Sequence, residues 1–435
     1  MNKLYINELE KYIDSEITIG GFIDNIRNLQ YVEFIILKDS TGKVQITIEK
    51  EGNEELVKSI ENLTLESTVK VTGKVLKNEK VKLNGMEIIP SKIEITSLSL
   101  PELPLNIRDK DASEIDTRLD YRYLDLRNEY NSNIFRIQSE MVRLMREFLY
   151  NKNFMEIHTP KLISTASESG SEVFEVKYFD RKAYLAQSPQ FYKQMAMTSG
   201  FERIFEVGPV FRAENSNTNR HTTEFTGFDL EFSYINSVDD VMDMEEELLT
   251  YMLKNLNEKY GTLIKEVYGK EIIVPTKMPR IKLADLYNEL EKRYGYKIDD
   301  AAKVDLTTEA EKLSYKYAME EYNSEFIFVT DFPKDKRAFY HLRENDIPQG
   351  YDLIWRGVEI TTGAQREHRY EILKAQAEEK GLKKDVEFYL EFFKYGCPPH
   401  GGFGLGVDRL TMLLLGLPSL KESMFLFRGP NRLDP

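Results

Sequence analysis

Residues 205–234 read FEVGPVFRAENSNTNRHTTEFTGFDLEFSY. In the first half Phe205, Val207 and Phe211 fall on one face, and Glu206, Gly208, Val210 and Arg212 on the other. In the second half Phe228, Leu230 and Phe232 lie opposite Phe225, Gly227, Asp229 and Glu231. A period of two marks a strand with one buried side. Between the halves, residues 215–223 are polar and turn-forming, with Arg220-His221 toward the far end. The stretch predicts two antiparallel strands that present Arg212, Phe225, Asp229 and Glu231 on one surface. Such a surface is either a solvated hairpin face or a seat for a small molecule with phosphates, a flat base and an amine.

The chain has 435 residues, enough for two or three domains. No apolar run approaches the ~20 residues of a membrane span, and the charged N-terminus lacks the apolar centre of a secretory signal. A single cysteine, Cys397, excludes an internal disulfide and a cysteine-built metal cluster. Five histidines without ligand spacing argue against structural zinc. A cytoplasmic protein is the simplest expectation. A net charge of −14 argues against a broadly basic nucleic-acid-binding surface, but leaves room for a local basic groove.

Residues 1–100 contain five strand-like runs, with a short helix expected over 54–62 between the third and fourth. That order predicts an OB-fold barrel. Arg27, Tyr31, Phe34 and Gln45 are its candidate base contacts; the alternative puts Phe34 in the core and Arg27 and Gln45 in solvent. Residues 101–130 carry prolines and mixed charge and read as a hinge, so the remaining domain runs over 131–435. An amphipathic helix is expected over 131–153, then a strand, FMEIHTPKL, ending at Thr159-Pro160. The proline puts this strand at a boundary or against a partner chain. Ser188-Pro189 starts a helix that carries Gln190, Lys193 and Gln194 on one face. Another helix runs from Ser237 to Tyr260, with Ser237 and Asp240 as a capping box. Residues 261–325 are charged and helical and read as an insertion or subdomain. The chain closes with glycines 401, 402, 404 and 406, which allow close backbone approach to a ligand, and a helix from near Val407 with Arg409 in its first turn. The glycine spacing is not that of a dinucleotide fingerprint, and no Walker-type loop is present.

Three blocks together resemble the class II aminoacyl-tRNA synthetases. The helix and strand ending at Pro160 look like the first motif of that family, FRAE…RH…EF like the second and GLGVDRL like the third. The stretches AYLAQSPQFYKQ, GPVFRAENSNTNRHTTEF and FKYGCPPHGGFGLGVDRL are closest to the aspartyl-tRNA synthetases of archaeal and eukaryotic type. The implied architecture is α+β and multidomain: an OB-fold barrel, then a mostly antiparallel sheet flanked by helices.

The resemblance implies a reaction and a set of roles. ATP and L-aspartate form aspartyl-adenylate, and the acyl group passes to the 3′ end of tRNA(Asp), and in some relatives of tRNA(Asn). Arg212 would hold the α-phosphate, and Arg409 would lie along the adenine opposite Phe225 and reach the γ-phosphate. Arg220 and His221 would contact the triphosphate, and Glu214 would accept from the adenine amino group. Glu359 would be the main Mg2+ carboxylate, beside the Thr362 hydroxyl and with Asp352 behind it. Glu168, Gln190 and Asp229 would meet the aspartate ammonium, and Arg366 and Lys193 its side-chain carboxylate, with Thr362 nearby. Lys193 is the residue expected to separate aspartate from asparagine. His400 either lines the site or caps a turn. Arg27, Phe34 and Gln45 would read the anticodon, and the first motif implies a homodimer.

This sequence departs from the family at Phe22, at Asp24, in the segment around Lys82, Leu83 and Asn84, and in its ending FLFRGPNRLDP. The first three bear on which tRNAs are charged. Asparaginyl-tRNA synthetase, an ammonia-dependent asparagine synthetase and a non-catalytic RNA-binding paralogue are the rival readings.

Overall fold

Alternation over residues 16–97 closes a barrel. Its strands are β1 (Glu16–Asn28), β2 (Val32–Lys38), β3 (Lys43–Glu49), β4 (Thr68–Lys77) and β5 (Met86–Ser97), with helix α1 (Glu54–Ser59) between β3 and β4. They pair in the order β1-β2-β3-β5-β4, as expected of an OB-fold. Ile19, Ile23, Ile35, Leu37 and Ile46 fill the interior. A Cβ on Gly73 would lie 2.4 Å from the Ile89 carbonyl oxygen, so only glycine fits where β4 bends past β5.

The computed structural model describes residues 4–165, 173–215, 221–382 and 385–435. The chain divides into two compact units, Met1–Pro104 and Leu105–Pro435. The second contains, in order, α2 (Glu129–Asn151), β6 (Met155–Glu156), α3 (Gln190–Thr198), β7 (Arg203–Phe211), β8 (Glu224–Ser233), α4 (Val238–Tyr268), β9 (Arg280–Lys282), α5 (Leu283–Tyr294), α6 (Thr308–Tyr322), β10 (Phe326–Thr330), β11 (Gly350–Trp355), β12 (Val358–Arg366), β13 (His400–Gly406) and α7 (Val407–Leu415). Its eight-stranded sheet has the order β9-β10-β11-β12-β13-β8-β7-β6. The pairs are antiparallel through the middle and parallel only at the two edges.

The expected hairpin is β7–β8, with Gly208 opposite Gly227 and Glu206 opposite Asp229. Phe205, Phe228 and Leu230 are fully buried against α2 and α4, each worth about 1.5–3 kcal/mol of transfer free energy. Under the sheet, the Tyr351 hydroxyl donates to Glu245 Oε2 of α4 at 2.6 Å.

Three elements differ from expectation. The strand before Pro160 shrinks to Met155–Glu156 at the sheet edge, because Thr159 turns to donate to Glu206 through its amide (3.0 Å) and its hydroxyl (2.7 Å). Helix α4 starts at the Ser237/Asp240 capping box but continues to Tyr268, and stops at left-handed Gly269. Residues 261–325 do not stand apart as an insertion: β9 is the sheet's last strand, and Leu286 of α5 and Ala318 of α6 pack with Ile327 and Ile354 of the sheet.

Candidate active site

One row of paired residues crosses the middle of the sheet: Asp352, Thr362, Gly404, Asp229, Glu206. The adjacent row, Leu353, Thr361, Leu405, Phe228 and Val207, faces the core helices, so the first row faces the other way. Above it lies a cavity of about 270 Å³. A Cβ on Gly404 would lie 2.6 Å from Asp229 Oδ1, and one on Gly402 would lie 2.5 Å from Glu231 Oε2 and 2.1 Å from the Leu230 carbonyl. At these two positions β13 presents bare backbone, and the carboxylates of β8 lean over it. The glycines thus make room first for the protein's own anions.

Arg212, Glu214, His221, Phe225 and Arg409 line one end of the cavity. The Arg212 amide donates to the Thr223 carbonyl at 2.9 Å, closing the base of the β7–β8 loop. Its guanidinium carbon lies 5.4 Å from the Phe225 ring centre. Its buried Nε has no hydrogen-bond partner among the described residues, which fits an anion bound there. His221 Nε2 lies 3.9 Å from Glu214 Oε2. Arg409 Nη1 donates to the Glu359 carbonyl at 2.7 Å. Arg220 and Glu168 lie outside the described residues.

Beside Arg409 is a carboxylate cluster. The Thr362 hydroxyl donates to Asp352 Oδ1 at 3.0 Å and lies 3.3 Å from Glu359 Oε1. Burial, then the neighbouring Asp352, push Glu359 up to about 7. No group of three or more His, Cys, Asp or Glu able to hold a metal occurs among the described residues. One or two carboxylates and a hydroxyl are nonetheless the hard oxygen donors with which Mg2+ is held when phosphates and water complete its shell.

The opposite end is built from buried charge. Gln190, Asp229, His341 and Arg366 line it; Lys193 does not. Lys193 is 1% exposed and donates to Asp229 Oδ1 (3.0 Å), the Phe403 carbonyl (3.2 Å) and the Leu230 carbonyl (3.4 Å). Its three hydrogens are committed to the protein, so it acts on the cavity by charge, not by the direct contact expected from the sequence. Arg366 also departs from expectation. Its fork does clasp a carboxylate, but that of Glu231: Nε donates to Oε1 at 2.9 Å, and Nη2 lies 3.5 Å from Oε2. Nη2 also donates to the Gly402 carbonyl (2.9 Å) and Gln190 Oε1 (3.3 Å), and Nη1 lies 3.4 Å from His341 Nε2. Burial pushes Glu231 up, but Arg366 and Lys193 outweigh it and hold the carboxyl below its ordinary value.

His400 supports the site from behind. It is fully buried, its Nε2 is 3.0 Å from Gln194 Nε2 and its Nδ1 is 2.8 Å from the Pro398 carbonyl. Burial brings it down to about 4. Sequence reasoning missed Tyr340, His341 and Asp408 as cavity residues, and Arg337, which grips Asp352. Asp408 had a signal, its place beside Arg409 in GLGVDRL; it accepts from the Thr226 amide at 2.9 Å, and burial pushes it up to about 6. Nothing in the local pattern around Tyr340 and His341 marks them.

On the barrel, Arg27 pairs with Phe34 and Phe34 with Thr47, while Gln45 pairs with Ile36 two rows on. Phe34 lies outside the barrel core, partly exposed, and shares the outer face with Arg27 and Gln45. Gln45 Nε2 donates to the Thr47 hydroxyl at 3.0 Å. Tyr31 is 75% exposed. Asp24 is ion-paired with Lys38 (3.6 Å) and Lys43 (3.3 Å), and Asn84 Nδ2 donates to the Lys43 carbonyl at 2.9 Å, so two of the sequence departures meet at one lysine.

Residues 114–428 match the family model described as tRNA synthetases class II (D, K and N), and residues 17–96 the model of the OB-fold nucleic acid binding domain. The chain is 39% identical to the aspartate–tRNA(Asp/Asn) ligase of Aeropyrum pernix, over 98% of this chain and 97% of that one. It is 41% identical to the aspartate–tRNA(Asp) ligase of Pyrococcus abyssi, over 99% of each. Among solved structures, the asparaginyl-tRNA synthetase of Pyrococcus horikoshii complexed with asparaginyl-adenylate superposes with a TM-score of 0.90 at 31% identity, covering 100% of both chains. A putative aspartyl-tRNA synthetase of Leishmania major gives the same score and identity, over 100% of this chain and 95% of that one. The barrel, the antiparallel sheet and the arginine-lined cavity on it therefore belong to one known lineage, and the chain is a member of the class II tRNA synthetases of the D, K and N group.

Proposed function

We propose that the chain is an aspartate–tRNA ligase that activates L-aspartate with ATP and transfers it to tRNA(Asp). The observation that carries the amino-acid choice is the charge count at the buried end of the cavity. Among the described residues it holds two cations, Lys193 and Arg366, and two carboxylates, Asp229 and Glu231; His341 and His400 are held neutral there, chiefly by burial. With Asp229 drawn to a substrate ammonium, Lys193 and Arg366 leave this end attractive to a side-chain carboxylate. An amide offers these buried cations no counter-charge. The near-full-length identity with relatives named as aspartate ligases supports the same choice.

The geometry supports the following chemistry. The substrate α-carboxylate attacks the α-phosphorus of ATP, and pyrophosphate leaves. The step brings anions together, so it depends on cations placed in advance. Arg212, with its free Nε, holds the α-phosphate; Phe225 and Arg409 sandwich the adenine, with Glu214 at its amino group. Arg220 and His221 hold the triphosphate. Glu359 and Thr362, with Asp352 behind, would hold Mg2+, which would supply charge neutralisation for the phosphates. Asp229, Gln190 and Glu168 seat the ammonium. The tRNA 3′ hydroxyl then takes the acyl group and AMP leaves. Arg27, Phe34 and Gln45 contact the anticodon, Phe34 by stacking. The first-motif resemblance of the segment ending at Pro160 supports a homodimer, and we place the enzyme in the cytoplasm, where tRNA is charged.

Relatives of both names, tRNA(Asp/Asn) and tRNA(Asp), are similar at 39% and 41%, so identity does not decide the tRNA range. Charging with labelled aspartate on tRNA(Asp) and tRNA(Asn) transcripts does, and the expected result is aspartate on tRNA(Asp). Aspartate on both transcripts makes the enzyme non-discriminating. ATP–pyrophosphate exchange driven by asparagine and not aspartate would overturn the assignment.

A further inference from the structure

Arg366 has an unequal set of partners. Nε and Nη2 are committed to Glu231, the Gly402 carbonyl and Gln190, and among the described residues Nη1 meets only His341 Nε2, at 3.4 Å. That is long for a hydrogen bond. His341 is 3% exposed and lines the cavity, and its other ring nitrogen, Nδ1, is buried with no partner among the described residues. Nδ1 packs against Gly350, where a Cβ would come within 2.8 Å of it. When Nε2 accepts from Arg366, the ring proton must sit on Nδ1, as a buried N–H with no acceptor. Orphaned buried N–H groups are the rarest and costliest kind. The alternative tautomer leaves only a bare lone pair at Nδ1, but it points Nε2–H at Arg366 Nη1, donor against donor. An anion between the two nitrogens resolves the conflict, since both then donate to it. Burial, then Arg366, Arg337 and Arg343, hold the imidazole neutral, so each tautomer carries one proton.

We propose that His341 Nε2–H and Arg366 Nη1–H form a two-donor seat for the side-chain carboxylate of the substrate, His341 changing tautomer as the carboxylate arrives. This rests on the aspartate reading above. The proton count is unchanged: one proton leaves Nδ1 to solvent and one is taken up at Nε2. The seat replaces the direct contact that Lys193, with its hydrogens committed elsewhere, does not offer. It also favours a carboxylate, which offers these donors two charged oxygens where an amide offers one neutral oxygen.

Nitrogen-15 spectroscopy of the histidine rings tests this on the wild-type protein, where only five histidines contribute and the spectrum of His341→Gln assigns the His341 signal. His341 Nε2 is expected to change from acceptor-type to donor-type on saturation with aspartate. The same signal with and without aspartate overturns the seat. In exchange kinetics, His341→Leu is expected to raise the KM for aspartate by about tenfold or more, leaving the KM for ATP unchanged. His341→Gln, whose amide nitrogen can donate from nearly the same place, is expected to restore most of the loss. Wild-type KM for aspartate in His341→Leu removes the seat alone, whereas wild-type exchange with asparagine in place of aspartate removes the amino-acid reading.

Discussion

Arg337 clasps Asp352 with both terminal nitrogens, at 2.9 and 2.7 Å, whereas the neighbouring Glu359 side chain meets the Thr362 hydroxyl at 3.3 Å. Of the two carboxylates, Asp352 is already neutralised and Glu359 is the one still in need of a cation. Glu359→Gln is therefore expected to fold as well as the parent, since a half-buried charge without a cation is removed. Exchange activity should fall by about 10²–10³, with a higher Mg2+ requirement. Magnesium titration of ATP–pyrophosphate exchange, beside a thermal melt, checks both halves.

Gly402 and Gly404 should respond differently to alanine. At Gly404 the nearest obstacle is the end of the Asp229 side chain, 2.6 Å from the new methyl. The protein should fold, and the KM for aspartate should rise with that for ATP unchanged. At Gly402 the obstacle is the Leu230 carbonyl at 2.1 Å, which belongs to the sheet backbone and cannot swing aside. Gly402→Ala should be recovered poorly or melt well below the parent.

Lys193→Met keeps the length of the side chain and removes its charge. Asp229 and Glu231 then lose a cation at 3.0 and 3.5 Å. Breaking a buried pair costs about 3–5 kcal/mol, so denaturant unfolding should show a large loss, and the KM for aspartate should rise as well. Unchanged stability would mean that solvent reaches this end of the cavity.

Glu245 gives a pH signature. Burial raises its carboxyl from 4.5 to about 7 in the folded protein. Below pH 4.5 the carboxyl is protonated in both states, and its contribution to stability is complete. Between 4.5 and 7 only the unfolded chain is ionised, and stability falls by ~1.4 kcal/mol per pH unit, ~3 kcal/mol in all. Glu245→Gln keeps an acceptor for Tyr351 and removes the titration. Its stability relative to the parent should improve from pH 4.5 to pH 8; parallel curves would show that Glu245 is ionised throughout.

Phe34→Ala on the barrel should raise the KM for tRNA by about tenfold, the loss of one stacked base at ~1–3 kcal/mol. ATP–pyrophosphate exchange without tRNA should stay at the parent rate. A parallel fall in exchange would mean that the substitution damages the fold.

The hairpin and the barrel were legible because their signals are local. Alternation from Phe205 to Ser233 and five runs before residue 100 fix faces whatever lies far away in the chain. The short β6 was not legible, because what ends it is Glu206, some fifty residues on, drawing Thr159 out of the strand. The role of residues 269–325 was hidden likewise: the three residues of β9 carry too little pattern to announce a place in the central sheet. The arginines and carboxylates of the cavity could be picked out by type and motif. Their partners could not. That Lys193 spends its hydrogens on Asp229 and two carbonyls, and that Arg366 clasps Glu231, depend on side chains from three strands and a helix meeting in space. His341 was missed for the same reason, since its only mark is its closeness to Arg366.

Strand β13 acts as a spacer. Bare at Gly402 and Gly404, it separates Thr362 on one side from Asp229 on the other by two inter-strand steps, on the order of 10 Å. That width is fixed by backbone hydrogen bonding and not by any side chain, so substitutions around the cavity can alter its charge but not its span. The fold therefore works as a gauge of fixed length: the charges along the cavity can drift, while the distance between its two sides cannot.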